Sequence, residues 1–244
     1  MKALLSSTYF GPIQWYQKLN RYDECLIERH ESFIKQTYRN RMLIPTTNGP
    51  LSLTIPTNHN TSLAMKDIRI SDHANWRHVH WNALLSAYGE SPFFEYYQDD
   101  IRPFYEKKYE FLFDFNMEIT EKMIELLDIR PKISVTNEYI QSEELKVKSI
   151  ESKELKVKSE EFNGLANHKV QSSNLKVQSK EVQSKEVQSI VDFREAIRPK
   201  KPLPDAEFES KRYYQVYEQK FGFQPNMSIL DLLFNEGNEA IFYL

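Results

Sequence analysis

Apolar positions along the first thirty residues come in two textures. Residues 2–10, with Ala3-Leu4-Leu5 and Tyr9-Phe10 around Ser6-Ser7-Thr8, read as a short buried strand, and Gly11-Pro12 then supplies a turn. Ile13, Trp15, Tyr16 and Leu19 next recur at the spacing of one helical face, which predicts a helix over residues 13–22 with Pro12 at its first turn. Cys25 opens a second strand that runs to His30. Residues 41–45 and 51–56 read as two more strands around Thr46-Thr47-Asn48-Gly49-Pro50, where Asn-Gly tolerates positive φ and marks a β-hairpin. Leu51, Leu53 and Ile55 alternate with Ser52 and Thr54, so that strand is expected to bury one face.

Residues 65–70 alternate again and predict a strand. Ser71-Asp72 offers a cap for a helix from His73 or Ala74 to Tyr88, with Gly89 as its stop. On that helix His78, Asn82 and Ser86 share a polar face, whereas His80 falls among Trp76, Leu84 and Ala87. Ser91-Pro92 starts a further helix, which Pro103 must break; a second is expected over 103–113, bearing Glu106, Glu110 and Asp114 as a solvated row beside Lys107 and Lys108. Asn116 reads as the cap of a helix over 117–127, and residues 132–139 have strand character. Glu144-Leu145-Lys146-Val147-Lys148-Ser149 then recurs at Glu154 and, varied, at Asn174, before shrinking to Lys180-Glu181-Val182-Gln183-Ser184. Such units carry too little apolar surface to offset chain entropy. The pattern therefore predicts a mixed α/β domain formed by 1–140 and 190–244. It has a small mixed sheet including the hairpin, packed by several helices, and a low-complexity, disordered insertion at 141–189. Near the C-terminus, Asn226 or Ser228 caps a helix carrying Ile229, Leu230, Leu232, Leu233 and Phe234, and an apolar tail docks on the core.

The 244 residues suffice for a proper core, and a net charge of -3 gives no basic excess for a general nucleic-acid binder. No apolar run reaches the ~20 residues of a membrane span, and the N-terminus lacks a signal-peptide pattern. The single cysteine, Cys25, excludes an internal disulfide framework and fits a reducing, cytoplasmic compartment; it reads as a small buried hydrophobe. No cofactor motif stands out, and His73, His78 and His80 do not share a face or a metal-ligand spacing, so no metal site is expected.

Candidate chemistry gathers at Lys35-Gln36-Thr37-Tyr38-Arg39-Asn40-Arg41. Guanidinium forks beside amide and phenol groups suit a carboxylate or phosphate; the competing reading is a solvated run flanking a strand, and a third is that Asn40 and Arg41 only tie the hairpin together. His80 is either a core histidine satisfied by a backbone carbonyl or a site residue.

Tyr9-Phe10-Gly11-Pro12-Ile13-Gln14-Trp15-Tyr16, the run from Lys35 to Arg41, Asn48-Gly49-Pro50 leading to Leu53-Thr54-Ile55-Pro56, Ala87-Tyr88 with Ser91-Pro92-Phe93-Phe94, and the ending Asp231-Leu232-Leu233-Phe234-Asn235-Glu236-Gly237 resemble the WbqC-like family in the form common in Bacteroidetes. The founding members of that family lie in gene clusters for O-antigen and other surface polysaccharides. The resemblance implies a transferase-type enzyme acting on an anionic, activated sugar derivative. On that expectation Gln14, Lys35, Tyr38, Arg39, Asn40 and Arg41 bind substrate and His30 or His80 serves as general base. The rival expectation is a non-catalytic accessory protein that recognises an anionic glycan or a protein partner. Many family members open with a histidine-glutamine-proline motif; this chain has Ser6-Ser7-Thr8 there, which puts a mechanism relying on that histidine in doubt.

Overall fold

The computed structural model describes residues 1–58, 63–141 and 189–244. The expected repeat insertion thus lies, but for its two end residues, outside the described residues. The mixed α/β class holds. Four strands, β1 (Lys2–Ser6), β2 (Glu24–Glu28), β7 (Ile133–Val135) and β8 (Ile190–Asp192), form one sheet in the order β7-β2-β1-β8. Every pairing in it is parallel. Ala3, Leu4 and Leu5 are all buried, the continuous apolar run expected of a central parallel strand covered on both faces. Helix α1 (Ile13–Arg21) makes the crossover from β1 to β2, and residues 13 to 19 are all buried, polar Gln14, Gln17 and Lys18 included. Their cover is the late chain: Gln14 and Lys18 meet Asp205, and Gln17 meets the backbone of Glu209 and Tyr243.

The hairpin forms a ribbon of its own rather than joining the sheet. Its strands, β3 (Arg41–Thr46) and β4 (Gly49–Thr54), pair with Thr46 opposite Gly49, so the two-residue loop is Thr47-Asn48 and Gly49 takes the positive φ of 95°. Leu53 and Ile55 are buried as the alternation predicts, whereas Leu51 is exposed near the tip. A short ribbon joins β5 (Thr57–Asn58) to β6 (Arg69–Ile70). The strand expected over 65–70 is mostly a single 3-10 turn, Met65–Asp67, before that two-residue bridge.

Helices α2 (Trp76–Tyr88), α3 (Phe94–Ile101), α4 (Pro103–Glu106) and α5 (Leu112–Leu126) follow. Helix α2 buries Trp76, His80, Leu84 and Ala87 and exposes His78, Asn82 and Ser86, the division its periodicity predicts. Further expectations fail. The helix after Pro103 ends at Glu106, because the next residues run out to meet β6: the Ile70 amide donates to the Glu110 carbonyl and Leu112 to Ile68. Glu106, Glu110 and Asp114 therefore share no helical face; Glu106 pairs with Arg102, Glu110 with Arg69, and Lys107 and Lys108 reach Glu118 and Asp72. Asn116 does not cap α5 but sits buried inside it, donating to Ser7 Oγ and to the Arg39 carbonyl. Beyond β8 come α6 (Glu218–Phe221) and α7 (Ile229–Glu236), the latter capped by Ser228. Among the described residues no helix is long and apolar enough to cross a membrane.

Candidate functional site

Because the sheet is parallel, β1, β2, β7 and β8 all end on one edge. The chain leaves β1 through α1 toward β2, and β8 later returns on the other flank of β1. That makes the β1/β8 boundary a topological switch point, where open α/β sheets leave a crevice. A narrow cleft with room for about one water molecule lies there, lined by Ser6, Thr8, Tyr38, Arg39, Phe193 and Arg194 among others.

Its polar framework is buried. Arg39 Nε donates to Glu31 Oε1 at 2.7 Å and Nη2 donates to Glu31 Oε2, a bidentate pair. Arg39 Nη2 also donates to Ser6 Oγ at 2.8 Å and Nη1 to Thr37 Oγ1 at 3.2 Å, while Ser6 Oγ donates to Glu31 at 3.1 Å. A second cluster stands beside it. Glu28, fully buried at the end of β2, accepts from the His30 amide, the Thr136 hydroxyl and the Ile140 amide, and lies 3.8 Å from Arg194 Nη1. Arg194 also holds Asp192 and donates to the Ile140 carbonyl, so it spans the edge from β8 back to the segment after β7.

One cleft group lacks a partner. Thr8 is 2 % exposed and its Oγ1 makes no hydrogen bond within the described protein. Gly11 permits its position: a Cβ there would come within 2.4 Å of Thr8 Oγ1. The N-terminus of α1 is already occupied. The Ile13 amide donates to the Met227 carbonyl and the Gln14 amide to Asn226 Oδ1, so the helix end that cradles phosphate in many α/β proteins is closed here.

The predicted site residues divide among several places. Tyr38 and Arg39 line the cleft. Lys35 is exposed at the surface. Asn40 joins the hairpin to its exit, donating to the Ile55 carbonyl and accepting the Ile55 amide, and Arg41 donates to Thr54 Oγ1 across the ribbon. Gln14 is held by Asp205 and Asn226 beneath the late chain. His30 stands on the loop leaving β2 at the same sheet edge, with Nε2 buried and unpartnered. His80 lies in an aromatic core instead, its Nδ1 2.9 Å from the Tyr9 hydroxyl, which in turn meets the Tyr105 hydroxyl at 2.9 Å. Burial pushes its pKa down to about 4 despite a bond to the Thr54 backbone, so it is neutral at pH 7. Glu28, Glu31, Thr8 and Arg194 belong to this edge but carry no local sequence signal. The only available hint was position: Glu28 and Thr8 sit at or just past strand ends. Among the described residues no group of three or more His, Cys, Asp or Glu side chains is arranged to hold a metal ion.

A parallel α/β sheet with a buried guanidinium–carboxylate network at its switch point defines the class. The chain belongs to the WbqC-like protein family, whose model matches residues 7–195 and 203–243. It is similar to the Uncharacterized protein Rv1507c of Mycobacterium tuberculosis (strain ATCC 25618 / H37Rv), with 26% identity over 245 residues, covering 99% of this chain and 96% of that protein. No solved structure matches the chain.

Proposed function

We propose that the protein is a cytoplasmic transferase-type enzyme acting on an activated sugar in surface-polysaccharide biosynthesis, with the β1/β8 cleft as its substrate site. The observation that carries this reading is the unpartnered, buried Thr8 hydroxyl beside Tyr38 and the Arg39–Glu31 pair at a switch point. A buried hydroxyl without a partner costs free energy that a bound ligand would recover. In this reading Thr8 and Tyr38 donate to the ligand, the Arg39–Glu31 and Arg194–Asp192 pairs hold the cleft wall in place, and His30, whose Nε2 has no partner at the same edge, takes the proton from the acceptor. His80 stays in the core. The accessory-protein reading draws on a different fact: Arg39 is already committed to Glu31, Ser6 and Thr37.

Thermal-shift measurements against nucleotide-linked sugars separate the two. A donor at a hundred times its Kd adds about 2.7 kcal/mol of stability. The expected result is a higher Tm with a donor than with its free nucleotide, that excess lost in Thr8→Val and kept in His30→Gln, with turnover absent in the latter. No excess over the free nucleotide with any donor, or an excess that Thr8→Val leaves intact, overturns the proposal. A response to acidic polysaccharide alone favours the accessory role.

A further inference from the structure

A second concavity lies between α2 and α4, with a volume of about 340 Å³. It shares no lining residue with the cleft; Tyr105, which lines it, meets the hydroxyl of Tyr9, the residue after Thr8. Arg77, Arg102 and Lys108 bring three positive charges to this groove against one lining carboxylate, Glu106. Trp81 and Tyr105 supply aromatic surface, with ring centroids 5.8 Å apart.

The three cations share two carboxylates, Asp72 and Glu106. Arg77 pairs with Asp72 through Nη1 alone; its Nε and Nη2 are buried without a hydrogen-bond partner, and its guanidinium lies 4.7 Å over the Trp76 ring. Lys108 Nζ shares the same carboxylate at 3.0 Å, so Asp72 holds both cations at the rim. Arg102 and Glu106 form an exposed pair within one helical turn, of the kind that water and competing anions readily displace. The backbone leading here is also unusual: Ala74 and Asn75, neither a glycine, take φ of 64° and 46°. Guanidinium forks beside a lysine suit a phosphate, and a partly exposed indole suits stacking by a base.

We propose that this groove binds a nucleotide, its phosphate held by Arg77, Arg102 and Lys108 and its base laid against Trp81. The site is distinct from the cleft and does not depend on the reading given to it. Trp15 and Trp76 are buried whereas Trp81 is partly exposed, so intrinsic fluorescence reports on the groove. The full chain is titrated with UMP, AMP, uridine and inorganic phosphate. UMP or AMP should quench saturably, while uridine and phosphate each bind at least about tenfold more weakly, a difference of ~1.4 kcal/mol. Arg102→Gln with Lys108→Gln, both exposed, should weaken the nucleotide about tenfold without moving the unliganded Tm, and Thr8→Val should leave the titration unchanged. Absence of quenching by either nucleotide overturns the proposal. So does phosphate binding as tightly as UMP, which would leave the aromatic wall without a role, or a single-stranded oligonucleotide binding more than about tenfold tighter, which would make the ligand a nucleic acid.

Discussion

Glu31 and Arg39 show how a residue can be essential to a site without being free to react. Both side chains are almost wholly buried, and each is the other's main partner. Removing one leaves a buried charge uncompensated, which costs about 3–5 kcal/mol, whereas replacing both with apolar groups of similar volume is often tolerated. Glu31→Gln is therefore expected to lower unfolding free energy in urea by roughly that amount, and Glu31→Leu with Arg39→Met to recover much of it. A double variant no more stable than the worse single one would show that the pair's polar bonds, not its charge balance, hold this edge. Asp231 and His80 make an opposed couple in pH dependence. Burial raises the Asp231 carboxyl to about 6, with Tyr213 and Gln215 donating to it and partly countering the shift. A raised folded pKa means the native state holds the proton more tightly, so this contribution is present at low pH and lost as pH rises through 6. The depressed pKa of His80, about 4, acts the other way: its contribution is present above pH 6.5 and lost as pH falls toward 4. In the wild type the two largely cancel between those limits. Asp231→Asn removes one arm, and its stability should fall between pH 7 and 4.5 by on the order of 2–3 kcal/mol more than the wild type's, measured by urea unfolding at both values.

At the scale of elements, the turn from β1 into α1 depends on a missing side chain. The Cβ of an alanine at position 11 would lie 2.4 Å from Thr8 Oγ1 and 2.8 Å from Thr8 Cβ. Gly11→Ala should therefore cost about 1–3 kcal/mol in chemical denaturation, and Thr8→Gly in the same chain should relieve part of it. This turn is also where sequence reasoning runs short. The helical faces of α1 and α2 and the hairpin are legible because a period of 3.6 or 2 is imposed by local geometry alone. Asn116 looks like a cap because asparagine favours caps, but Ser7 and the Arg39 carbonyl, 109 and 77 residues away, give its amide better partners inside the helix. Pro103 does open a helix, yet the pairing of Glu110 and Leu112 with the β6 segment stops it early. Of the site, Tyr38 and Arg39 announce themselves by clustering with other donors. Glu28, Glu31 and Arg194 are unremarkable charges in sequence, and only the parallel topology, which sends every strand to finish on one edge, brings them together.

For the whole molecule that edge is also a mechanical junction. Strands β7 and β8 lie on opposite flanks of the sheet, and β8 enters it more than fifty residues after β7 ends. Glu28 links their outlets: it takes bonds from Thr136 and Ile140 beyond β7 and sits against Arg194 beyond β8, which itself reaches back to the Ile140 carbonyl. Both flanking strands are only three residues long and half-buried, too short to be held by ladder bonds alone. The carboxylate therefore does for the sheet what a longer edge strand would do elsewhere. Glu28→Gln keeps the shape but loses the charge that faces Arg194, and one of its oxygens becomes a donor where only donors converge. The expected signature is local opening: amide exchange should speed by one to two orders of magnitude in β7 and β8, as for a loss of about 1.5–3 kcal/mol of local stability, while α2 and α5 keep their protection. Equal acceleration in the helices would mean that the sheet and the helical layer open as one unit, and that the cleft cannot loosen without unfolding the domain around it.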